Sequence, residues 1–78
     1  MTDHQKQAFM DRMNQFDKRY DRYWDRLNRA EASGDTEKAN RYSAKMDCIS
    51  AYMDGMIAAL QIFGHTLVPR PGGKTEII

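Results

Sequence analysis

The chain has 78 residues, of which 12 are basic and 11 are acidic, so its net charge at pH 7 is only +1. A chain of this size buries only about 60% of its unfolded surface, and its core needs a disulfide, a metal or oligomerisation to supplement it. One cysteine cannot form an internal disulfide, and the two histidines are too far apart for a metal-ligand spacing. We therefore expect an oligomer without a metal or cofactor.

The sequence predicts a protein of the cytoplasm. No apolar run approaches the roughly 18–20 residues of a membrane span, and the first residues lack the basic start and apolar stretch of a signal peptide. A free cysteine in a helix suits a reducing interior. No contact with a membrane is expected.

Two long helices are predicted in the first 64 residues. Thr2 followed by Gln5 fits a capping box, which starts helix 1 close to residue 3. Gly34 suits the left-handed position that ends a helix, and Asp35 can cap the next helix. The predicted ranges are a helical hairpin over 1–64, with helix 1 over about 3–32, a turn over 33–35 and helix 2 over about 36–63.

The apolar residues of both helices follow a heptad pattern, with spacings that alternate between four and three. They are Phe9, Met13, Phe16, Tyr20, Tyr23, Leu27 and Ala30 in helix 1, and Ala39, Tyr42, Met46, Ile49, Met53, Met56, Leu60 and Phe63 in helix 2. When the chain is folded at the turn, apolar residues whose numbers add up to 69 face each other in seven layers. The sequence therefore predicts an all-α fold, an antiparallel two-helix coiled-coil hairpin.

Helix 2 carries a second apolar row, on the side that faces away from helix 1. Its members are again spaced by four and three: Ala44, Cys48, Ala51, Gly55, Ala58 and Ile62. A glycine inside a helix costs about 1 kcal/mol relative to alanine, and it lets another backbone approach closely. We therefore predict a homodimer in which two copies of helix 2 pack back to back in a four-helix arrangement. The alternatives are a cover formed by the chain's own tail, a foreign partner, or exposure to water.

Helix 1 interleaves basic and aromatic residues around its middle. The predicted partner-binding residues are Arg19, Arg22, Trp24, Arg26 and Arg29. Because arginine and tryptophan dominate interface energetics, this outer face is the predicted contact surface for another protein. The alternatives are a basic edge that binds nucleic-acid phosphate and a solvated face with intrahelical ion pairs. The register also predicts Arg26 beside Lys45, and Arg19 beside Tyr52 in a cation–π contact.

Residues 65–78 contain two prolines and two glycines and are predicted to form an extended or flexible tail. The chain has no recognisable catalytic set and no Gly-rich phosphate loop, and a two-helix hairpin offers no cavity for a substrate. The sequence therefore predicts a non-enzymatic protein that acts by binding another protein. A small homodimeric regulator or inhibitor, such as a phage or mobile-element accessory protein, fits this description. The alternative is nucleic-acid binding through the basic edge of helix 1.

Overall fold

The computed structural model describes all 78 residues of the chain, apart from the side chain of Lys74. The elements follow one another as α1 (Asp3–Ala32), α2 (Thr36–Ile62), β1 (Leu67–Arg70) and β2 (Lys74–Ile77). The two helices pack against each other, and the two strands form a small sheet. The molecule extends 47 × 26 × 17 Å along its principal axes. The long dimension matches α1, since a helix of 30 residues is about 45 Å long at 1.5 Å per residue.

Local hydrogen bonds fix where the helices begin and end. The backbone N–H of Gln5 donates to Thr2 Oγ1 over 3.1 Å, and the backbone N–H of Thr2 donates to Gln5 Oε1 over 2.9 Å. This reciprocal pair is the capping box of α1. Gly34 follows α1 with φ of +76°, a conformation that glycine adopts without strain. Asp35 then caps α2, because its carboxylate accepts the backbone N–H of Lys38 over 3.1 Å.

The core lies between the two helices, as the heptad pattern predicts. Six of its positions are buried: Met13, Ala30, Ala39, Met46, Ile49 and Leu60. Every other predicted layer position is half-buried except Phe63, whose exposure is 80%. The prediction that Phe63 joins this core is wrong, for two reasons. Residue 63 is the C-cap of α2, and the position opposite it in the register is Lys6, which supplies no apolar partner.

The two helices agree with the predicted helical hairpin, and the extended segment after them contains a strand pair that was not predicted. β1 and β2 pair antiparallel, with Leu67 opposite Ile77 and Arg70 opposite Lys74. Gly72 and Gly73 have φ of +85° and +77° in the turn between the strands, so the turn needs residues without a Cβ. This β-hairpin was not predicted from the sequence. Apolar runs on both sides of a glycine pair are typical of one.

The β-hairpin lies against the start of α1 and does not cover the second row of α2. A shallow depression is lined by Lys6, Gln7 and Met10 of α1 together with Thr75 and Ile77 of β2, among others. Ile77 is only 4% exposed and therefore extends the core at the open end of the helical hairpin. All six residues of the second row are exposed. The alternative in which the tail covers that row is therefore wrong.

Candidate interaction surfaces

The second row of α2 is a continuous exposed strip of small and apolar residues. Ile62, at one end of it, is 81% exposed. Gly55 lies in the interior of α2, where glycine costs about 1 kcal/mol relative to alanine. A Cβ built at Gly55 would meet no atom within 4 Å among the described residues. Packing within the single chain therefore gives no reason for a glycine at this position.

An apolar depression of about 530 Å³ runs beside this row. Its lining residues are Cys48, Ala51, Tyr52, Gly55, Met56 and Ala59. Tyr52 forms part of its wall, is 66% exposed and stacks on Phe16 of α1, with 5.9 Å between the ring centroids. The half of α2 that is remote from the turn thus presents apolar surface where a solvated helix carries charged side chains.

Near the turn between α1 and α2, the side of the helical hairpin that adjoins the apolar depression is basic. One depression of about 450 Å³ is lined by Arg19, Tyr23, Arg41, Ala44, Lys45, Cys48 and Ile49. A second depression of about 220 Å³ is lined by Arg26, Arg29, Ala30, Ser33, Asp35, Lys38 and Tyr42. Because the first one shares Cys48 with the apolar depression, the basic and apolar surfaces are continuous. We call the two basic depressions together the cationic groove.

The ring of Tyr23 forms the centre of the cationic groove. Arg26 Cζ lies 5.8 Å from the centroid of this ring, and Lys45 Nζ lies 5.3 Å from it. Arg26 and Lys45, which were predicted to lie beside each other, thus both contact the ring of Tyr23. The predicted cation–π contact between Arg19 and Tyr52 is replaced by the stacking of Tyr52 on Phe16.

Carboxylates neutralise only two cations of the groove. Arg29 pairs with Asp25 over 3.0 Å, and Arg41 pairs with Glu37 over 3.3 Å. Both pairs are exposed i,i+4 contacts within one helix, and such pairs contribute only about 0.3–0.5 kcal/mol. Among the side chains that the structure describes, no carboxylate lies within 4.0 Å of the charged groups of four further cations. These are Arg19, Arg26, Lys38 and Lys45.

The predicted partner-binding residues lie on two different sides of α1. Arg19, Arg26 and Arg29 line the cationic groove, and Arg22 shares their side because it is three residues after Arg19. Trp24, which is 53% exposed, lies two residues before Arg26 and hence about 160° around the helix from it. The cations that α2 contributes were not among the predicted residues. The sequence signal for them is the spacing of seven between Lys38 and Lys45, which repeats one heptad position.

The described part of the chain contains neither a metal-binding cluster nor a helix that could span a membrane. No three His, Cys, Asp or Glu residues there lie close enough together to hold a metal ion. Neither helix combines the length and the apolar character that crossing a membrane requires. No protein-family model matches the chain, and searches of curated proteins and of solved structures each returned no match.

Proposed function

We propose that the protein is a non-enzymatic interaction protein that dimerises through the exposed row of α2 and acts by binding another protein. The observation that carries this proposal is Gly55, which lies at an exposed helical position where the single chain needs no glycine. Because Gly55 has no side chain, a second helix can pack closely on the row. Dimerisation would also bury additional surface, which stabilises a chain whose own core is small.

In an antiparallel pairing of two α2 helices, every residue of the row can face a row residue of the other copy. If residues whose numbers add up to 106 face each other, Ala44 meets Ile62, Cys48 meets Ala58 and Ala51 meets Gly55. Each residue of the row then has another row residue opposite it, and the largest side chain faces a small one. Such alternation of large and small side chains is how facing layers reach native packing density.

The contact with the other protein is proposed on the outer side of α1, with Trp24 as its aromatic anchor. Trp24 is 53% exposed and remains accessible in a dimer formed through α2. Tryptophan is among the residues that contribute most to binding energy at interfaces. A small protein that acts only by occupying a partner's surface is suited to the role of a regulator or inhibitor. The exposed thiol of Cys48 suits a reducing compartment, and we propose a cytoplasmic location.

Sedimentation equilibrium over a concentration series tests the self-association. We expect a mass of twice 9.1 kDa for the natural chain and of 9.1 kDa for Gly55→Leu, because leucine would hold the two helices apart. The new side chain meets no neighbour within its own chain, so circular dichroism should show unchanged helix content. Ala8→Leu, at an exposed position of α1, is the matched control and should remain dimeric.

Oxidative crosslinking at Cys48 tests the orientation of the two copies. In the antiparallel pairing, Cys48 lies opposite Ala58, so the two cysteines are ten positions apart, or about 15 Å along the helix axis. A disulfide needs Cα atoms within about 7 Å, and mild oxidation should therefore leave the dimer uncrosslinked. Rapid crosslinking would indicate parallel helices. A mass of 9.1 kDa for the natural chain at every concentration would refute the dimer.

A further inference from the structure

We infer that the cationic groove is a second binding site, which takes the phosphate backbone of single-stranded nucleic acid. The groove lies between the two helices of one hairpin. Two of its lining residues, Ala44 and Cys48, also belong to the second row of α2, but a single copy of the chain contains the whole groove. The inference therefore requires neither the dimer nor the protein partner. It rests on the separation of charges around the hairpin, on cations without carboxylate partners, and on an aromatic platform beside them.

Basic residues occupy one side of the hairpin. At 100° per residue, positions seven apart share a side of a helix, and so do positions three or four apart. This rule and the lining of the groove place eight cations together: Arg12, Arg19, Arg22, Arg26, Arg29, Lys38, Arg41 and Lys45. Over the residues from 12 to 29 they extend about 25 Å along α1.

Three acidic residues lie away from the groove, whereas Asp25 and Glu37 pair with Arg29 and Arg41, and Asp35 lines the groove itself. Asp17 and Asp21 each lie two residues from Arg19, or about 160° around α1. Asp47 lies two residues from Lys45, at the same angle around α2. An anionic polymer that approaches the cationic groove therefore meets these carboxylates only across the width of the molecule. The net charge of +1 conceals this separation.

Two cations of the groove share one aromatic ring, and no described carboxylate pairs with either of them. Arg26 and Lys45 both lie within 6 Å of the Tyr23 centroid. Asp35, the acidic residue that lines the groove, already accepts the backbone N–H of Lys38 as a helix cap. A phosphate bound to both cations would offset their mutual repulsion. Arginine adds a planar fork of donors that matches phosphate oxygens.

An exposed aromatic ring distinguishes single strands from other polyanions. Tyr52 is 66% exposed, stacks on Phe16, and contributes to the apolar depression that adjoins the groove through Cys48. Proteins that bind single strands combine a positive groove for the backbone with aromatic rings on which unpaired bases stack. An acidic peptide or a duplex offers no free base face to such a ring. The observations therefore favour a single strand over both.

Fluorescence anisotropy with a labelled mixed-sequence 20-nucleotide DNA strand and its RNA counterpart tests the inference. The salt concentration is raised stepwise, because each phosphate contact contributes about −0.7 to the slope of log affinity against log salt for a single strand. We expect a slope of about −3, from contacts with at least four cations. The matching duplex and poly-glutamate of similar length, each in the same titration, should bind more weakly than the single strand.

Two lysine variants with the same change of charge make the test specific to the groove. Lys45→Glu should lower the affinity for the single strand at least tenfold and flatten the salt slope. Lys6→Glu, 13 residues before Arg19 and therefore about 140° around α1 from it, should change affinity less than threefold. Tyr52→Ala should lower affinity at least fivefold while leaving the salt slope unchanged. Circular dichroism establishes that each variant is folded.

Four results would overturn the inference. One is the absence of salt-dependent binding, and a second is an equal loss of affinity in Lys45→Glu and Lys6→Glu. A third is tighter binding of the duplex than of the single strand. The fourth is binding of poly-glutamate, lost in Lys45→Glu, without binding of either oligonucleotide, which would assign the groove to an acidic protein. Retention of binding in Gly55→Leu separates this site from the proposed dimer.

Discussion

Replacement of Leu60 by alanine tests how the helical hairpin is held together. Leu60 is the most buried residue of the core, with 2% exposure, and it faces Phe9 in the register of layers. Removing a leucine side chain from a core costs about 2–5 kcal/mol, which includes the cavity left behind. A domain of 78 residues has a total stability of about 4–12 kcal/mol. Leu60→Ala should therefore remove a large part of it and lower Tm by roughly 8–40 °C, since each kcal/mol corresponds to about 4–8 °C in a domain of this size.

Phe63→Ala is the matched control, three positions further along the same apolar pattern. Sequence alone assigns Phe63 and Leu60 to one core, whereas the structure leaves Phe63 80% exposed. A substitution at an exposed site away from special features changes stability by about 0.5 kcal/mol or less. The two variants should therefore differ by at least about 1.5 kcal/mol, which is the difference between these two costs.

Urea unfolding followed by circular dichroism at 222 nm measures both changes. The measurements are best made in the Gly55→Leu background, so that self-association contributes nothing to the free energy of unfolding. Equal costs for Leu60→Ala and Phe63→Ala would refute the packing described for the open end of the hairpin. A cost below about 1 kcal/mol for Leu60→Ala would show that this layer contributes little to stability.

The helix cap and the β-hairpin each give a further prediction. Asp35→Ala should lower the free energy of unfolding by about 1 kcal/mol, because the N–H of Lys38 loses its acceptor, whereas Asp35→Asn should retain most of the stability. Equal losses in the two variants would argue against the cap. Ile77→Ala removes a side chain that is 4% exposed. It should speed hydrogen exchange of the Thr66 and Ile78 amides, which pair over 3.0 Å, at least tenfold. Equal acceleration throughout the helices would mean that the β-hairpin and the helices unfold as one unit.

The helical part of the fold was predictable because its signals are local. Thr2 and Gln5 are three residues apart, and the Gly34–Asp35 step contains both the end of one helix and the cap of the next. The pairing of the two helices then follows from a single turn, since one register brings every apolar layer together. Phe63 was wrongly assigned to the core because the apolar pattern of α2 continues one step beyond the last apolar partner in α1.

The β-hairpin was harder to predict because its signals conflict. Gly72 and Gly73 favour a turn, but Pro69 cannot donate a hydrogen bond and argues against a strand. In a two-stranded sheet both strands are edges, so a proline is tolerated where its missing N–H would have faced solvent. Which surface Ile77 is buried against depends on three-dimensional packing at the open end of the helices. No local pattern contains that information.

The cationic groove was predictable only in part. The arginines of α1 stand out because they are close together in the sequence, yet Trp24 among them lies on another side of the helix. Lys38, Arg41 and Lys45 join the groove only when α2 is placed beside α1. The register of the layers contained this information, because it sets Lys45 beside Arg26.

The position of Ile77 against the start of α1 has a consequence for the order of folding. Contacts between the helices can form progressively outward from Gly34, each layer closing a loop only slightly longer than the last. Contact between β2 and the first turns of α1 joins segments almost a whole chain length apart, and its entropic cost, which grows with about 3/2 RT ln n, is reduced once the helices have packed. We therefore expect the β-hairpin to dock after the helices have packed, and to undock more readily than the helices separate. Undocking would expose Ile77 and the start of α1 beside it, while the turn end of the helical hairpin stays closed.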